Sequence, residues 1–286
     1  MMKKIGLVLG GGGAKGAYQV GVLKALEEHK LLRHVRYFSG TSIGAINGFL
    51  LMNKINMTRL GLIWNEFNND IIYGKNKWRE TFSIGLYNTD GIVEKIKPYF
   101  NEKAFKKSKI KGYVTLAEVP NKGFFATLSR KNYVKDVIFL NETSDPLGAT
   151  LASAAIPFVF GKKEFEGTKY VDGGMVDNFP LDPLLNEGVN IILSIGLSVK
   201  SLPTEVIPNV LHINFTPLED FGSFAKTSLD FSPAKISNYY EQGYEDSKRL
   251  IRYLKQNKYL WFFGRIRLRK NRLVTLKDLE PLKLLK

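Results

Sequence analysis

The chain has 286 residues, of which 44% are hydrophobic and 12% aromatic, and this excludes an intrinsically disordered chain and predicts a large folded domain. It contains no cysteine, which excludes disulfide frameworks, thiolate metal centres and cysteine nucleophiles. The formal charge is +15, and residues 248–286 hold +11 of it, from 13 basic and 2 acidic residues. This concentration predicts a polyanionic partner, either a membrane surface or a nucleic acid.

The first predicted element is a β-strand and not an export signal. Met1 to Lys4 are followed by the apolar run Ile5 to Leu9, an order shared with signal peptides, but the run is short and ends in four glycines. No stretch reaches about 18 continuous apolar residues, the length that a membrane-spanning helix needs. We therefore expect a cytoplasmic chain, either free or bound peripherally to the inner face of the membrane.

The N-terminal part repeats a pattern of strand, glycine-rich turn and helix. The predicted elements are a strand over 4–9, a glycine loop over 10–16, a helix over 17–30, a strand over 35–39, a turn at Gly40 and a helix over 43–52. This repetition predicts parallel strands joined by crossover helices.

The later elements alternate in the same way. Residues 58–111 are predicted to be mostly helical, with a lysine-rich part over 95–111 that we interpret as a solvated face or a lid. A hairpin-like stretch over 163–171 leads into the turn Asp172-Gly173-Gly174. The remaining predictions are strands over 113–119, 124–128, 134–140, 190–195 and 210–215, and helices over 146–155 and 233–255.

The glycine loop formally matches a nucleotide-binding pattern. Gly11 to Gly16 has the form G-x-G-x-x-G, which in a dinucleotide site holds a pyrophosphate at a helix N-terminus. Such a site also needs an acidic residue at the end of the second strand, where this sequence has Tyr37-Phe38-Ser39-Gly40. The P-loop pattern fails as well, because Ala14 and not glycine precedes Lys15. Nucleotide binding therefore stays an alternative.

The second glycine turn, Gly40-Thr41-Ser42-Ile43-Gly44, has the form G-x-S-x-G. Between a strand and a helix, this pattern forms a sharp turn that strains the serine and exposes its hydroxyl as a nucleophile. The alternative is an ordinary turn in which Ser42 caps the next helix. An acyl-transfer serine needs preorganised hydrogen-bond donors for its oxyanion, and glycine N–H groups are unobstructed. Adjacent parallel strands would bring Gly11, Gly12 and Gly13 beside Ser42 as such an oxyanion hole.

Two groups are candidates for the base that takes the Ser42 proton. The order Ser42, Asp172, His212 is that of an α/β-hydrolase triad, but His212 lies in a predicted strand and not on a loop. His29 and His34 border the first crossover and are expected to face solvent. Asp172 either acts directly as the base or belongs to an ordinary Asp-Gly turn. These patterns alone do not separate the alternatives.

Four blocks of the sequence, in this order, resemble those of the patatin-like phospholipase family. They are Gly11-Gly12-Gly13-x-Lys15-Gly16, Gly40-x-Ser42-x-Gly44, Ala152-Ser153-Ala154-Ala155-x-Pro157 and Asp172-Gly173-Gly174. Plant patatins have an aspartate before the glycine run, where this chain has Gly10, as similar bacterial members do. The resemblance implies an α/β fold, a three-layer α/β/α sandwich with a mostly parallel central sheet. We accordingly expect a catalytic core over 5–187, the rest of the same domain over 188–247, and a basic, aromatic-containing segment over 248–286.

The resemblance also implies the site and the reaction. Ser42 would be the nucleophile and Asp172 the proton acceptor, without a histidine, and Lys15 would contact a substrate phosphate unless it is merely an exposed lysine on the first helical turn. The reaction would be the hydrolysis of acyl esters in phospholipids or neutral lipids, with no metal and no other cofactor. Because an ordinary carboxylate has a pKa of about 4, kcat/KM should hold to a lower pH than in a histidine enzyme, unless burial raises the pKa of Asp172. The glycines expected to support the motifs are Gly16, Gly40, Gly44, Gly173 and Gly174.

The C-terminal segment places aromatic residues beside a cluster of cations. The run Tyr259-Leu260-Trp261-Phe262-Phe263 precedes Arg265, Arg267, Arg269, Lys270 and Arg272. Aromatic rings and cations together are typical of a lipid interface, and we favour an anionic membrane surface over a nucleic acid. The alternation over 265–269 also fits an edge strand, with the aromatics buried.

The sequence thus predicts a serine hydrolase that cleaves acyl esters of lipids, as a phospholipase A, a lysophospholipase or a lipid acyl hydrolase. One alternative is an acyltransferase with the same dyad. The other is a nucleotide or nucleic-acid binding module that uses the glycine loop and the basic segment. The sequence determines neither the headgroup nor the oligomeric state.

Overall fold

The computed structural model describes residues 2–73, 90–120, 130–157, 160–222 and 227–283. Its strands are β1 (Ile5–Leu9), β2 (Tyr37–Thr41), β3 (Lys111–Glu118), β4 (Val134–Phe139), β5 (Lys163–Phe165), β6 (Thr168–Asp172), β7 (Ile191–Ile195), β8 (Leu211–Asn214) and β9 (Arg272–Val274). Its α-helices are α1 (Gly16–Glu28), α2 (Ile43–Met52), α3 (Met57–Glu66), α4 (Asn69–Tyr73), α5 (Asp90–Ile96), α6 (Glu102–Lys106), α7 (Pro146–Ser153), α8 (Asp182–Asn186) and α9 (Pro233–Gln256). The strand predicted over 124–128 lies outside the described residues.

The strands form a single mixed sheet in which parallel pairs predominate. The order is β5-β6-β3-β2-β1-β7-β8-β9, and β4 pairs with β3 off this path. The pairs from β3 across to β9 are parallel, whereas β3 pairs antiparallel with β4 and β6, and β5 with β6. The repeated strand-turn-helix units therefore build the parallel centre of the sheet, and hairpins complete one end.

Two apolar layers cover the sheet, and they differ in thickness. On one face, Leu7 and Leu9 of β1 belong to a large core that includes α1, α2, α3 and α9. On the other face, Val8 and Ile192 pack with Leu184 of the short helix α8. Because side chains alternate along a strand, β1 must be apolar on both faces. This is the α/β/α arrangement that the resemblance predicts.

The helix α1 is held rigidly between the sheet and its neighbours. It packs most extensively against α9, and the two backbones touch, since a Cβ on Gly21 would meet the Tyr240 carbonyl oxygen and one on Gly243 would meet that of Tyr18. The Tyr18 hydroxyl donates to the Phe215 carbonyl at 2.9 Å, which ties α1 to the residue after β8. Because these contacts hold α1 in place, they also hold the glycine loop at its N-terminus.

The C-terminal segment is part of the same body. Position 248, where we place a boundary from the sequence, falls inside α9, and β9 joins the sheet beside β8. The edge strand proposed as an alternative over 265–269 is wrong, because this stretch forms only an isolated bridge between Leu260 and Ile266. Of the aromatics before it, Tyr259 is buried, whereas Trp261, Phe262 and Phe263 are exposed.

Candidate active site

Ser42 lies on a strained turn between β2 and α2. Its backbone has φ 56° and ψ −127°, which a residue other than glycine adopts only when its surroundings impose it. The side chain does not cap α2, so the capping alternative is wrong. A Cβ on Gly44 would collide with the Leu9 carbonyl, so the turn can pack this closely on β1 only with glycine there.

Asp172, the last residue of β6, lies against Ser42. Its Oδ2 accepts a hydrogen bond from the Ser42 hydroxyl at 2.5 Å, and its Oδ1 accepts from the N–H of Gly174 at 2.7 Å. Both Ser42 and Asp172 are buried, at 5% and 7% exposure. Both carboxylate oxygens are thus held, and Asp172 is positioned to accept the serine proton. The Asp-Gly-Gly turn therefore directs a side chain into the site.

Strand β3 brings these two residues together. Thr41, the last residue of β2, pairs with Thr115, and Asp172 pairs with the next residue of β3, Leu116. Leu116 also pairs with Asp136 of β4, so β6 must lie on the edge of β3 that β2 occupies lower down. Because β2 is parallel and β6 antiparallel to β3, their carboxyl ends meet head on.

The block 152–157 connects the two residues through their backbones. The Oγ of Ser153 accepts from the N–H of Ser42 at 3.0 Å and donates to the carbonyl of Thr115 at 2.7 Å. The carbonyl of Ala155 accepts from the N–H of Asp172 at 2.7 Å. The sequence identifies this block only by resemblance, and the structure gives it a physical role as a bridge between the turn and β6.

Burial changes the acidity of Asp172. Removal from water raises its pKa from 3.8 to about 6, and the hydrogen bonds from Ser42 and from the N–H of Gly174 oppose this rise. From the sequence we expect kcat/KM to hold to a lower pH than in a histidine enzyme unless burial raises the pKa of Asp172, and burial does raise this pKa. At neutral pH the carboxylate is ionised and is a stronger base than an exposed aspartate.

The glycine loop lies directly beside Ser42. A Cβ on Gly11 would be 3.1 Å from the Ser42 Cβ. The N–H of Gly11 is already used, because it donates to the carbonyl of Asn178 at 3.1 Å. Within the described part of the chain, the N–H groups of Gly12 and Gly13 have no acceptor. Gly13 has φ 57°, and a Cβ there would collide with the Ser228 carbonyl, so both conformation and space require glycine.

Amide side chains that the sequence analysis missed hold this loop in place, and those of Gln19 and Asn47 are buried. Gln19 of α1 donates from Nε2 to the Gly10 carbonyl at 2.7 Å and accepts from Asn47 of α2 at 2.9 Å. Trp64 of α3 donates to Asn47 at 2.9 Å. On the other side, the side chain of Asn178 donates to the Gly11 carbonyl at 3.2 Å. The sequence signal that could have identified Gln19 and Asn47 is their position as polar residues within helix segments that are otherwise apolar.

The histidines lie elsewhere. His212 is buried in β8, where its Nε2 is 2.6 Å from the Ser194 hydroxyl, and burial lowers its pKa to about 4. The β8 strand is three strands from β2, about 14 Å across the sheet, and His212 is level with Tyr37 and not with Ser42. His29 and His34 are half-buried near the opposite ends of the strands. The structure brings together Ser42 and Asp172 without a histidine.

Lys15 is buried and not an exposed lysine of the first helical turn. It is 6% exposed, and burial lowers its pKa, a shift that Asp220 opposes. No carboxylate within the described ranges forms an ion pair with it. The exposed-lysine alternative is therefore wrong, and the phosphate-contact alternative stays a prediction.

No group of three or more histidine or acidic side chains is arranged to hold a metal ion in the parts of the chain that the structure describes. Over the same residues, no helix combines the length and the apolar character needed to cross a membrane.

Comparisons with known proteins identify the family of this chain. The family model described as patatin-like phospholipase matches residues 7–185. Two relatives named lysophospholipase NTE1, from Scheffersomyces stipitis and Candida albicans, are each 28% identical, over 68% of this chain but only 12% and 13% of their own lengths. Among solved structures, VipD from Legionella pneumophila aligns over 88% of this chain and 67% of its own, with 15% identity and a TM-score of 0.48. This chain belongs to the patatin-like phospholipase family.

Proposed function

We propose that the chain is a serine hydrolase that cleaves acyl ester bonds of lipids. The observation that carries the proposal is the 2.5 Å hydrogen bond from the Ser42 hydroxyl to Asp172. The glycine loop approaches Ser42 at Gly11, and the next two residues, Gly12 and Gly13, have N–H groups with no acceptor among the described residues. A nucleophile, a base that contacts it and unused donors next to both are the three parts that acyl transfer requires. The membership of the family supports the same reaction.

In the first step, Asp172 accepts the Ser42 proton while the serine oxygen attacks the ester carbonyl. The developing oxyanion is held by backbone N–H groups. The alcohol then leaves as Asp172 returns the proton, and Ser42 carries the acyl group. In the second step, Asp172 takes a proton from a water molecule as this water attacks the acyl-serine. Asp172 then returns the proton to the Ser42 oxygen as the bond to the acyl group breaks and the fatty acid leaves. Asp172 hydrogen-bonds to the serine directly, so no histidine is needed to relay the proton.

We propose fewer oxyanion donors than the three glycines predicted from the sequence. Gly11 contributes its N–H to the bond with Asn178, which orients the loop. The N–H groups of Gly12 and Gly13, which follow it, have no acceptor in the described part of the chain. We therefore assign the donor role to Gly12 and Gly13 and a positioning role to Gly11. Loss of one such donor typically lowers kcat by about 10²- to 10³-fold.

A lysophospholipid is the first substrate to test, because the yeast relatives bear the name lysophospholipase. The buried ammonium of Lys15, two residues after Gly13, is the group that we propose for a substrate phosphate. We also propose that the basic C-terminal segment meets an anionic membrane surface. Esters with good leaving groups should react readily and amides poorly.

The experiment is a hydrolysis assay on a panel of phospholipids, lysophospholipids and neutral lipids, comparing the wild type with Ser42→Ala and Asp172→Asn. We expect fatty acid release by the wild type and none above background by Ser42→Ala. Products are separated by chromatography with and without an added alcohol, so that transfer of the acyl group to an alcohol is told apart from hydrolysis. Undiminished release by either variant would overturn the dyad.

A further inference from the structure

Three consecutive aromatic side chains project from the molecule near the end of the chain. Trp261, Phe262 and Phe263 are 60%, 86% and 65% exposed and occupy a single tight turn. We call these three residues the aromatic knob. Isolated exposed apolar residues are ordinary, but a contiguous apolar projection marks an interaction site.

The backbone of the knob is strained, although its three aromatic side chains remain mostly exposed. Phe263 has φ 60°, an outlier for a bulky residue. The turn is held by a bond of 3.0 Å from Nε2 of His34 to the Phe263 carbonyl and by the burial of Gly264 against the carbonyls of His29 and Lys30. A conformation that is held at a cost and displays an apolar ring to solvent indicates a function for that ring.

Cations surround the knob. A groove of about 570 Å³ beside the rings contains Lys30 and Lys255, and an adjacent one of about 510 Å³ contains Lys3, Arg36 and Arg265. Glu28 is the single carboxylate among the residues that line these two grooves. The Lys30 ammonium is 5.1 Å from the centre of the Phe263 ring. Three of these five cations come from the N-terminal part of the chain, so this surface is larger than the basic segment itself.

We propose that the aromatic knob and these five cations dock the chain on an anionic lipid bilayer. Aromatic rings partition to headgroup depth, and cations beside them meet lipid phosphates. A stable protein interface buries about 800 Å² on each partner around an apolar, charge-depleted centre. Three exposed aromatic side chains beside two grooves that contain five cations do not offer such a centre. The proposal goes beyond the hydrolase activity and does not depend on it.

The knob lies at the edge of the sheet opposite the candidate active site. Lys3, before β1, donates to the carbonyl of Ile266 at 2.8 Å, and His34, before β2, contacts the knob directly. Ser42 follows the other end of β2. The helix α1 connects the two edges, and its 13 residues span about 20 Å. Docking through the knob therefore leaves the active site facing away from the bilayer, where it takes lipid from the aqueous side.

Binding is tested by cosedimentation with phosphatidylcholine vesicles, with and without phosphatidylserine. The chain carries Ser42→Ala, so that no lipid is consumed and the result is independent of the proposed activity. The variant is Trp261→Ser, Phe262→Ser and Phe263→Asn, since asparagine tolerates the left-handed backbone. Val134→Ser is the matched control, because Val134 is 56% exposed and begins β4, at the active-site edge.

We expect salt-sensitive binding that requires phosphatidylserine, a loss of about 100-fold or more in the triple variant, and no loss in the control. Neutralising Lys30 or Arg265 singly should weaken binding about five-fold each. Binding by the triple variant equal to that of its parent would overturn the proposal. Tighter binding to a single-stranded RNA, or self-association through the knob without vesicle binding, would overturn it in favour of those partners.

The orientation is tested separately with fluorescent labels. Because the chain has no cysteine, Phe262→Cys and Val134→Cys each create one labelling site. On anionic vesicles, we expect the label at position 262 to be protected from iodide quenching and the label at 134 to remain as accessible as in solution. Protection at 134 would show that the active-site edge faces the bilayer and would overturn the orientation.

Discussion

The raised pKa of Asp172 makes the pH profile the sharpest test of a dyad without histidine. Only the ionised carboxylate can accept the Ser42 proton, so kcat/KM should follow its ionisation in the free enzyme. With a pKa of about 6, roughly a tenth of the carboxyl groups are ionised at about pH 5 and nearly all at about pH 8. We therefore expect kcat/KM to fall about ten-fold between these values. With the ordinary pKa of 3.8, more than about nine tenths would still be ionised at pH 5, and the loss would be negligible.

The assay follows release of a carboxylic acid from a soluble short-chain ester, with near-ultraviolet circular dichroism at each pH to show that the chain remains folded. An acid limb near pH 6 also lies in the range of a histidine, so the profile alone does not identify the base. The control is therefore His212→Gln, whose amide can replace the contact of His212 with Ser194. The limb should be unchanged in this variant. A limb that disappears with His212, or activity that is constant down to pH 5, would refute our assignment.

Three further predictions concern single residues. Asp172→Asn should lower kcat by about 10²- to 10⁴-fold. The same variant should stabilise the fold by roughly 3 kcal/mol at pH 8, because the pKa of Asp172 is about 6 in the folded chain and 3.8 in the unfolded chain. Urea unfolding at several pH values should show this gain in stability vanish toward pH 4, and a gain independent of pH would contradict the prediction. Gly13→Ala should lower kcat by about 10²-fold with little change in KM, because the new Cβ collides with the Ser228 carbonyl and displaces an oxyanion donor. Steady-state kinetics measure both constants, and wild-type activity would exclude Gly13 from the oxyanion hole. Burial lowers the pKa of His212 to about 4 in the folded chain, against 6.5 in the unfolded chain, so the free energy of unfolding should fall by roughly 2 kcal/mol from about pH 7.5 to 5 as the unfolded state binds a proton. The same unfolding measurements on His212→Gln should lack this component. An unaltered pH dependence in that variant would contradict burial of His212 as the cause.

The strand-turn-helix units and the Ser42 turn were predictable because their signals are local. A strand that ends in G-x-S-x-G before an apolar helix leaves few conformations open, and α2 begins and ends where the pattern predicts. The parallel adjacency of β1 and β2, which brings the glycine loop beside Ser42, followed from the repeat of the same unit. The family was identifiable because four short blocks occur in one order.

The partner of Ser42 was not determined by these local signals. Asp172 reaches the serine only because β3 pairs with β2 up to Thr115 and with β6 from Leu116, a register set by distant parts of the chain. The same is true of the Gly11 N–H, which is bonded to Asn178, more than 160 positions later. The exposure of the aromatic knob also depended on how the C-terminal segment packs. Sequence alone determined which chemical groups are present and which turns present them. The distances between these groups, their burial and the availability of hydrogen-bond donors were decided by the tertiary structure, because these quantities depend on contacts between residues far apart in the chain.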